Sequence, residues 1–250
     1  MKKIVLLTLV LTLSLFAKDY ALIVGISKYK NMREILPNVD SDIFTYKQIL
    51  ERRGVHSIDI KIMRDRKATY WAIRNYLAFV EKDIKKYSHN RFFMFFAGHG
   101  ISANTRALKY NHNINKYLTN SGVILPYDYD PKNIINTIII GKRDLRPHLI
   151  NIDKYINKSL IIFDACYAGN SIKGKLRQRK TPFIYNNPKG YPYNNIVYIA
   201  SSTPKNKAKS GVLSNILNRC LTNKISLNKL RVCMNNRLKY RGQKAVLLSK

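Results

Sequence analysis

Two short segments carry residue types and spacings that suit nucleophilic catalysis. Cys166 follows the apolar run Leu160, Ile161, Ile162 and Phe163 within Asp164-Ala165-Cys166-Tyr167-Ala168-Gly169, and His99 follows Arg91 to Phe96 within Ala97-Gly98-His99-Gly100. A thiol with an ordinary pKa near ~8.5 is only a few per cent thiolate at neutral pH, so a cysteine nucleophile needs a base beside it. An imidazole, with a pKa near ~6.5, is suited to that task. The pair predicts acyl transfer with Cys166 as nucleophile and His99 as base. Glycines flanking the histidine let the backbone turn tightly and let a carbonyl approach. The N–H groups of Gly100 and Cys166 are therefore the candidate oxyanion hole.

These residues need elements that end beside one another. Apolar runs of this length read as strands buried on both faces, and ligands of open α/β sheets sit at the carboxyl ends of such strands. Tyr20 to Ile26 reads as a further central strand, and Ser57 to Met63 as a half-buried one with Ile58, Ile60 and Ile62 on one face. Asp40 or Ser41 opens a helix that Gly54 closes. Thr69 caps a second, whose stripe is Ile73, Tyr76, Leu77, Val80 and Ile84. Ser102 to Asn120, polar and Asn-rich, reads as a loop, with short strands at Val123 to Leu125 and Thr137 to Ile140. Pro147 interrupts the pattern of the helix expected before Ser159. Ile172 to Asn195 is a basic loop; Ile196 to Ala200 and Ala245 to Leu248 are strands; Gly211 to Leu221 and Leu227 to Tyr240 are helices. This alternation predicts a mostly parallel sheet with helices on both faces, in a single domain over residues 18–250.

The first seventeen residues read differently. Lys2 and Lys3, the apolar run Ile4 to Phe16 and the small Ala17 make a secretory leader, too short for a comfortable transmembrane helix. An exported, periplasmic or secreted protein is expected. The formal charge of +31, or +29 without the leader lysines, favours weak association with polyanions. The basic residues are spread along the chain and no base-reading module is present, so no specific nucleic acid is expected. Cys220 and Cys233 sit at helical spacing among apolar residues and read as two buried thiols, with a disulfide between them as the alternative in an oxidising compartment. His56, His89, His112 and His148 match no motif.

Phe95-Phe96-Ala97-Gly98-His99-Gly100 resembles the histidine motif, and Phe163-Asp164-Ala165-Cys166-Tyr167-Ala168-Gly169 the cysteine motif, of the caspase-like cysteine peptidases, nearest to the bacterial metacaspases. Similarity extends through Ala21 to Tyr29, Leu36 to Ile43, Val123 to Pro131, Ala200-Ser201-Ser202 and Gly242-Gln243. The resemblance implies a caspase-like, haemoglobinase-type fold with a six-stranded, mostly parallel sheet. It also implies a His99–Cys166 dyad that cleaves polypeptides without an essential third member. It assigns Asp42 and Asp164 to the pocket for the substrate residue preceding the cut, hence cleavage after Arg or Lys rather than Asp. Self-cleavage is expected near Lys175, Arg177, Arg179 and Lys180. No cofactor or metal is required; Asp128 and Asp130 are the only candidates for the Ca²⁺ that some relatives use, against a role in holding their own loop. Ala168 replaces a frequent Ser, and Lys205, Lys207 and Lys209 fall where relatives are often acidic. The alternative is a catalytically inactive caspase-like module that binds peptides.

Overall fold

The computed structural model describes residues 17–102, 105, 108, 112–118, 121–168, 184–185, 191–202, 208–222 and 225–249. The expected leader up to Phe16, Gly169, Lys205, Lys207 and the expected self-cleavage residues lie outside them. In chain order the strands are β1 (Asp19–Gly25), β2 (Ile60–Arg64), β3 (Arg91–Ala97), β4 (Gly100–Ile101), β5 (Val123–Ile124), β6 (Ile139–Ile140), β7 (Ser159–Asp164), β8 (Ile184–Tyr185), β9 (Ile196–Ala200) and β10 (Ala245–Leu248). The helices are α1 (Val39–Arg52), α2 (Tyr70–Asp83), α3 (His112–Leu118), α4 (Arg146–Asp153), α5 (Val212–Cys220) and α6 (Leu227–Arg241).

Six strands in the order β2-β1-β3-β7-β9-β10 form the mostly parallel sheet expected from the sequence, with β10 antiparallel to β9; two-residue β8 pairs with the outer edge of β10. Every residue of β7 is buried, as its unbroken apolar run requires of a central strand. Helices α2 and α4 cover one face through Tyr70, Ile73, Leu77, Val80, Leu149 and Ile152. Helices α1, α5 and α6 cover the other through Val39, Tyr46, Ile49, Leu217, Met234 and Leu238. Strands β4, β5 and β6 form a small antiparallel sheet on the first face. Among the described residues no helix is long and apolar enough to cross a membrane.

Local signals hold in several places. Thr69 caps α2 by accepting the Ala72 N–H at 3.2 Å, and Ser226 caps α6 by accepting that of Lys229 at 3.3 Å. Pro147 sits in the first turn of α4, where its missing N–H has no intrahelical partner to lose.

Three expectations are corrected. Ile58 is 91% exposed, because Ser57–Asp59 form a 3-10 turn and β2 starts only where Ile60 pairs with Ala21. The segment read as a loop between Ser102 and Asn120 contains α3, whose Ile114 and Leu118 enter the core four residues apart. Their signal was masked by the asparagines around them. Cys220 and Cys233 are joined in a disulfide rather than kept as two thiols. Both do occupy inward positions, but α5 and α6 pack so that these positions face each other, with Cα atoms 5.8 Å apart. Closing a loop of this size contributes roughly 2 to 3 kcal/mol. Cys220→Ala combined with Cys233→Ala should lower the urea midpoint accordingly, and reductant should then have no further effect. An unchanged midpoint would contradict the pairing.

Candidate active site

The sheet register brings the two chemistry-bearing segments together. Strand β3 lies parallel to β7 with Ala97 opposite Asp164, and the Gly98 N–H donates to the Asp164 carbonyl at 3.3 Å. The chain beyond β3 therefore leaves the sheet beside the chain beyond β7. His99 is fixed from below: its backbone N–H donates to the Tyr29 hydroxyl at 2.7 Å, and the Tyr29 ring stacks at a tilt on the imidazole with centroids 5.0 Å apart. Its Nε2 lies 3.7 Å from a Glu34 carboxylate oxygen and makes no hydrogen bond. Burial pushes the imidazole pKa down, outweighing the opposing pull of Glu34. The ring is thus neutral at pH 7, as a base must be.

Cys166 is a free, half-buried thiol. The Ala208 N–H donates to its sulfur at 3.4 Å, and the thiol reaches the Ala208 carbonyl at 3.9 Å. The turn carrying it is held by the end of β9. Ser202 donates to the Ala165 carbonyl at 2.7 Å and accepts the Ala168 N–H at 3.1 Å, while Tyr198 donates to the Ala168 carbonyl at 2.5 Å. Within this turn Tyr167 has φ 57°, left-handed geometry that side chains adopt at a cost. Gly100 comes so close to it that a Cβ there would lie 2.0 Å from the Cys166 carbonyl oxygen. Only glycine fits. Because the Leu125 N–H donates to the His99 carbonyl, the alternation of antiparallel pairing turns the N–H of Gly100 away from β5.

Asp42 and Asp164 lie beneath the same opening. Helical spacing places Asp42 on the buried face of α1 between Val39 and Tyr46; Asp164 is the last residue of β7. They are 2% and 6% exposed. Asp42 accepts a short hydrogen bond from the Ser214 hydroxyl of α5. Asp164 accepts from the Tyr46 hydroxyl at 3.4 Å, from Ser201, and from the Ser214 backbone N–H. Among the described residues no cation contributes to holding either charge. Burial raises both carboxyl pKa values, Asp42 to about 6 and Asp164 to about 7, the latter also because Asp42 repels its charge. All four candidate side chains, His99, Cys166, Asp42 and Asp164, line one cleft of about 500 Å³, with Glu34, Gly100, Ala208 and Ser210 among its other walls.

The family model described as the caspase domain matches residues 18–246, nearly the whole chain. The chain belongs to the caspase domain family. Its members are cysteine endopeptidases. The crystal structure of caspase-1 from Spodoptera frugiperda resembles it in fold, with a TM-score of 0.54 and 12% identity, over 93% of this chain and 89% of that one. No curated protein gives a significant sequence match.

Within this caspase domain the remaining candidates have local work. The Asp128 carboxylate accepts the Tyr70 N–H at 2.8 Å, and that of Asp130 accepts the Lys132 N–H at 2.8 Å. Neither joins a cluster of three potential metal ligands among the described residues. His148 pairs with Glu81 at 2.6 Å, and His89 meets the Asn157 amide at 3.3 Å, both away from the cleft. Lys209 points its ammonium at the Arg241 carbonyl, 3.0 Å away.

Several residues at the site were not singled out from sequence. Tyr46 reads there as one more member of an apolar stripe, and Ser214 as a polar residue on the otherwise apolar face of α5. Gln243, 3% exposed, spans the Ser201 carbonyl and the Lys209 N–H at 2.9 Å each, and so fixes the segment whose Ala208 N–H meets the sulfur. Glu34 was legible only as one of few acids.

The carboxyl pair has a consequence for stability. Groups whose pKa is higher in the folded chain bind more protons there than in the unfolded chain between about pH 4 and 7. Folding stability contributed by the pair therefore falls as pH rises through that window. Asp164→Asn should show a smaller drop in unfolding temperature from pH 5 to pH 8 than the wild type. Equal drops would contradict the buried, cation-free pair.

Proposed function

We propose that this caspase domain is an exported endopeptidase in which His99 and Cys166 form the dyad and Asp42 and Asp164 select Arg or Lys before the cut. The observation that carries the reading is the pair of buried carboxylates with no cation beside them among the described residues, opening into the cleft that also holds the thiol and the neutral imidazole. A guanidinium or ammonium entering there meets the charge that burial has left uncompensated, and each charge-assisted hydrogen bond contributes roughly 1.5 to 3 kcal/mol. An acidic side chain would meet repulsion instead.

The chemistry follows from the positions. The His99 imidazole takes the proton of the Cys166 thiol, and the thiolate attacks the scissile carbonyl carbon. The new oxyanion is held by the N–H groups of Gly100 and Cys166. The imidazolium returns its proton to the leaving nitrogen as the C–N bond breaks, leaving a thioester. Water, deprotonated by His99, then attacks the thioester; the product carboxylic acid and the thiol are released. Tyr29 and the Ser202 and Gln243 hydrogen bonds keep both groups in place throughout.

Export is supported by the leader and by the Cys220–Cys233 disulfide, which persists in oxidising compartments. The two motifs favour the bacterial metacaspase branch. The formal charge of +31 adds a salt-sensitive attraction to polyanions. Lys175, Arg177, Arg179 and Lys180, close in sequence to Cys166, are the expected sites of self-cleavage.

Fluorogenic peptide amides ending in Arg, Lys or Asp test the reading. Turnover is expected with Arg and Lys, none with Asp, and none for Cys166→Ala. Asp164→Asn should lower kcat/KM for the Arg peptide by roughly 10- to 150-fold, the loss of one such hydrogen bond. With the wild type, kcat/KM should rise with pH through about 6 to 7 as the pair loses its proton. No turnover with or without Ca²⁺ and reductant would leave a peptide-binding module; an Asp preference would overturn the pocket. Intact mass after incubation should show fragments in the wild type and none in Cys166→Ala, and identical masses would exclude self-cleavage.

A further inference from the structure

A second cavity, of about 690 Å³, opens at the other edge of the sheet, where β3, β7 and β9 begin. One wall is apolar, with Val197, Ile225 and Leu227 partly exposed on it over the buried side chains of Phe93, Leu160, Leu221 and Leu230. The other carries Arg53, Arg91 and Lys158, and no Asp or Glu lines the space. The two arginines differ in their state. Arg91 is neutralised by a two-pronged ion pair with Asp19, at 2.7 and 2.5 Å, and donates to the Arg53 carbonyl at 2.9 Å. The Arg53 guanidinium has no hydrogen-bond or ion-pair partner among the described residues. It is half-buried, and burial together with the charge of Arg91 disfavours its protonated form. Such a cation is costly to hold unless an anion joins it.

A small inorganic anion would satisfy Arg53 and leave the apolar wall facing water. A neutral lipid would cover the wall and leave the guanidinium unpaired. A carboxylate on an apolar tail meets both requirements, and the volume lies within the range of ordinary small-molecule sites. We propose that this cavity binds a medium-chain fatty acid, with its carboxylate on Arg53 and its chain along Val197, Ile225 and Leu227. The site lies across the sheet from the catalytic cleft and does not depend on the peptidase reading.

Calorimetric titration with decanoate at 0.3 M NaCl, where exposed charges are screened, tests it. One saturable site is expected. Arg53→Gln should weaken it at least tenfold, while Arg52→Gln, the same charge change at the neighbouring exposed position, leaves it unaltered. Shorter acids should bind roughly fourfold more weakly per methylene removed. Decanol, with the same tail and no charge, should give no saturable site, and this comparison needs no variant. Equal weakening by both substitutions, binding of decanol as tight as decanoate, or uptake of many equivalents would each overturn the proposal.

Discussion

The register of β3 on β7 is the constraint on which the site rests. Phe96 pairs with Phe163 and Ala97 with Asp164, so both strands end at one level and the loops that follow start side by side. Both strands are buried on two faces, and a slip of one residue would exchange the side chains facing the two helical layers. The packing of Phe96 on Phe163 toward α2 and α4, and of Phe95 on Tyr46 toward α1, fixes the alignment that brings His99 near Cys166. Gly100 tightens the arrangement by letting its backbone meet the Cys166 carbonyl, which no other residue at that position permits.

The same register has a cost. Ending β7 in Asp164 buries a carboxyl group against α1, where Asp42 already occupies the inner face. Tyr46, Ser201 and Ser214 supply hydrogen bonds but no charge, so the pair is held at raised pKa values. A fold selected for stability alone would place apolar groups there. Under the proposed function, this pair, buried beneath a cleft that also holds an imidazole and a thiol, stores binding energy for a cationic side chain in the free protein.

Much of this was legible in the chain. Unbroken apolar runs marked β3 and β7, and Thr69 marked the start of α2. The resemblance supplied Asp42 and Asp164, and the fold placed them together. What stayed hidden depended on contacts between distant residues. Ser214 reaches Asp42 across 172 positions, and Gln243 reaches Ser201 across 42, with no local pattern announcing either. Helical spacing put Cys220 and Cys233 on inner faces, but the packing of α5 on α6 decided that those faces meet. Ile58 kept the alternation of a strand while lying beyond the residues that β1 can pair.

The proposed function requires that one cleft join a reactive thiol to a pocket for positive charge. Covalent labelling tests this without relying on turnover. Peptidyl ketones that alkylate cysteine, identical but for Arg or Asp at the last residue, are incubated with the protein and the adduct is located by mass spectrometry. One adduct is expected, on Cys166, from the Arg reagent alone, its formation slowed by Asp164→Asn and by His99→Ala. Equal labelling by the Asp reagent, or a rate indifferent to both substitutions, would contradict it.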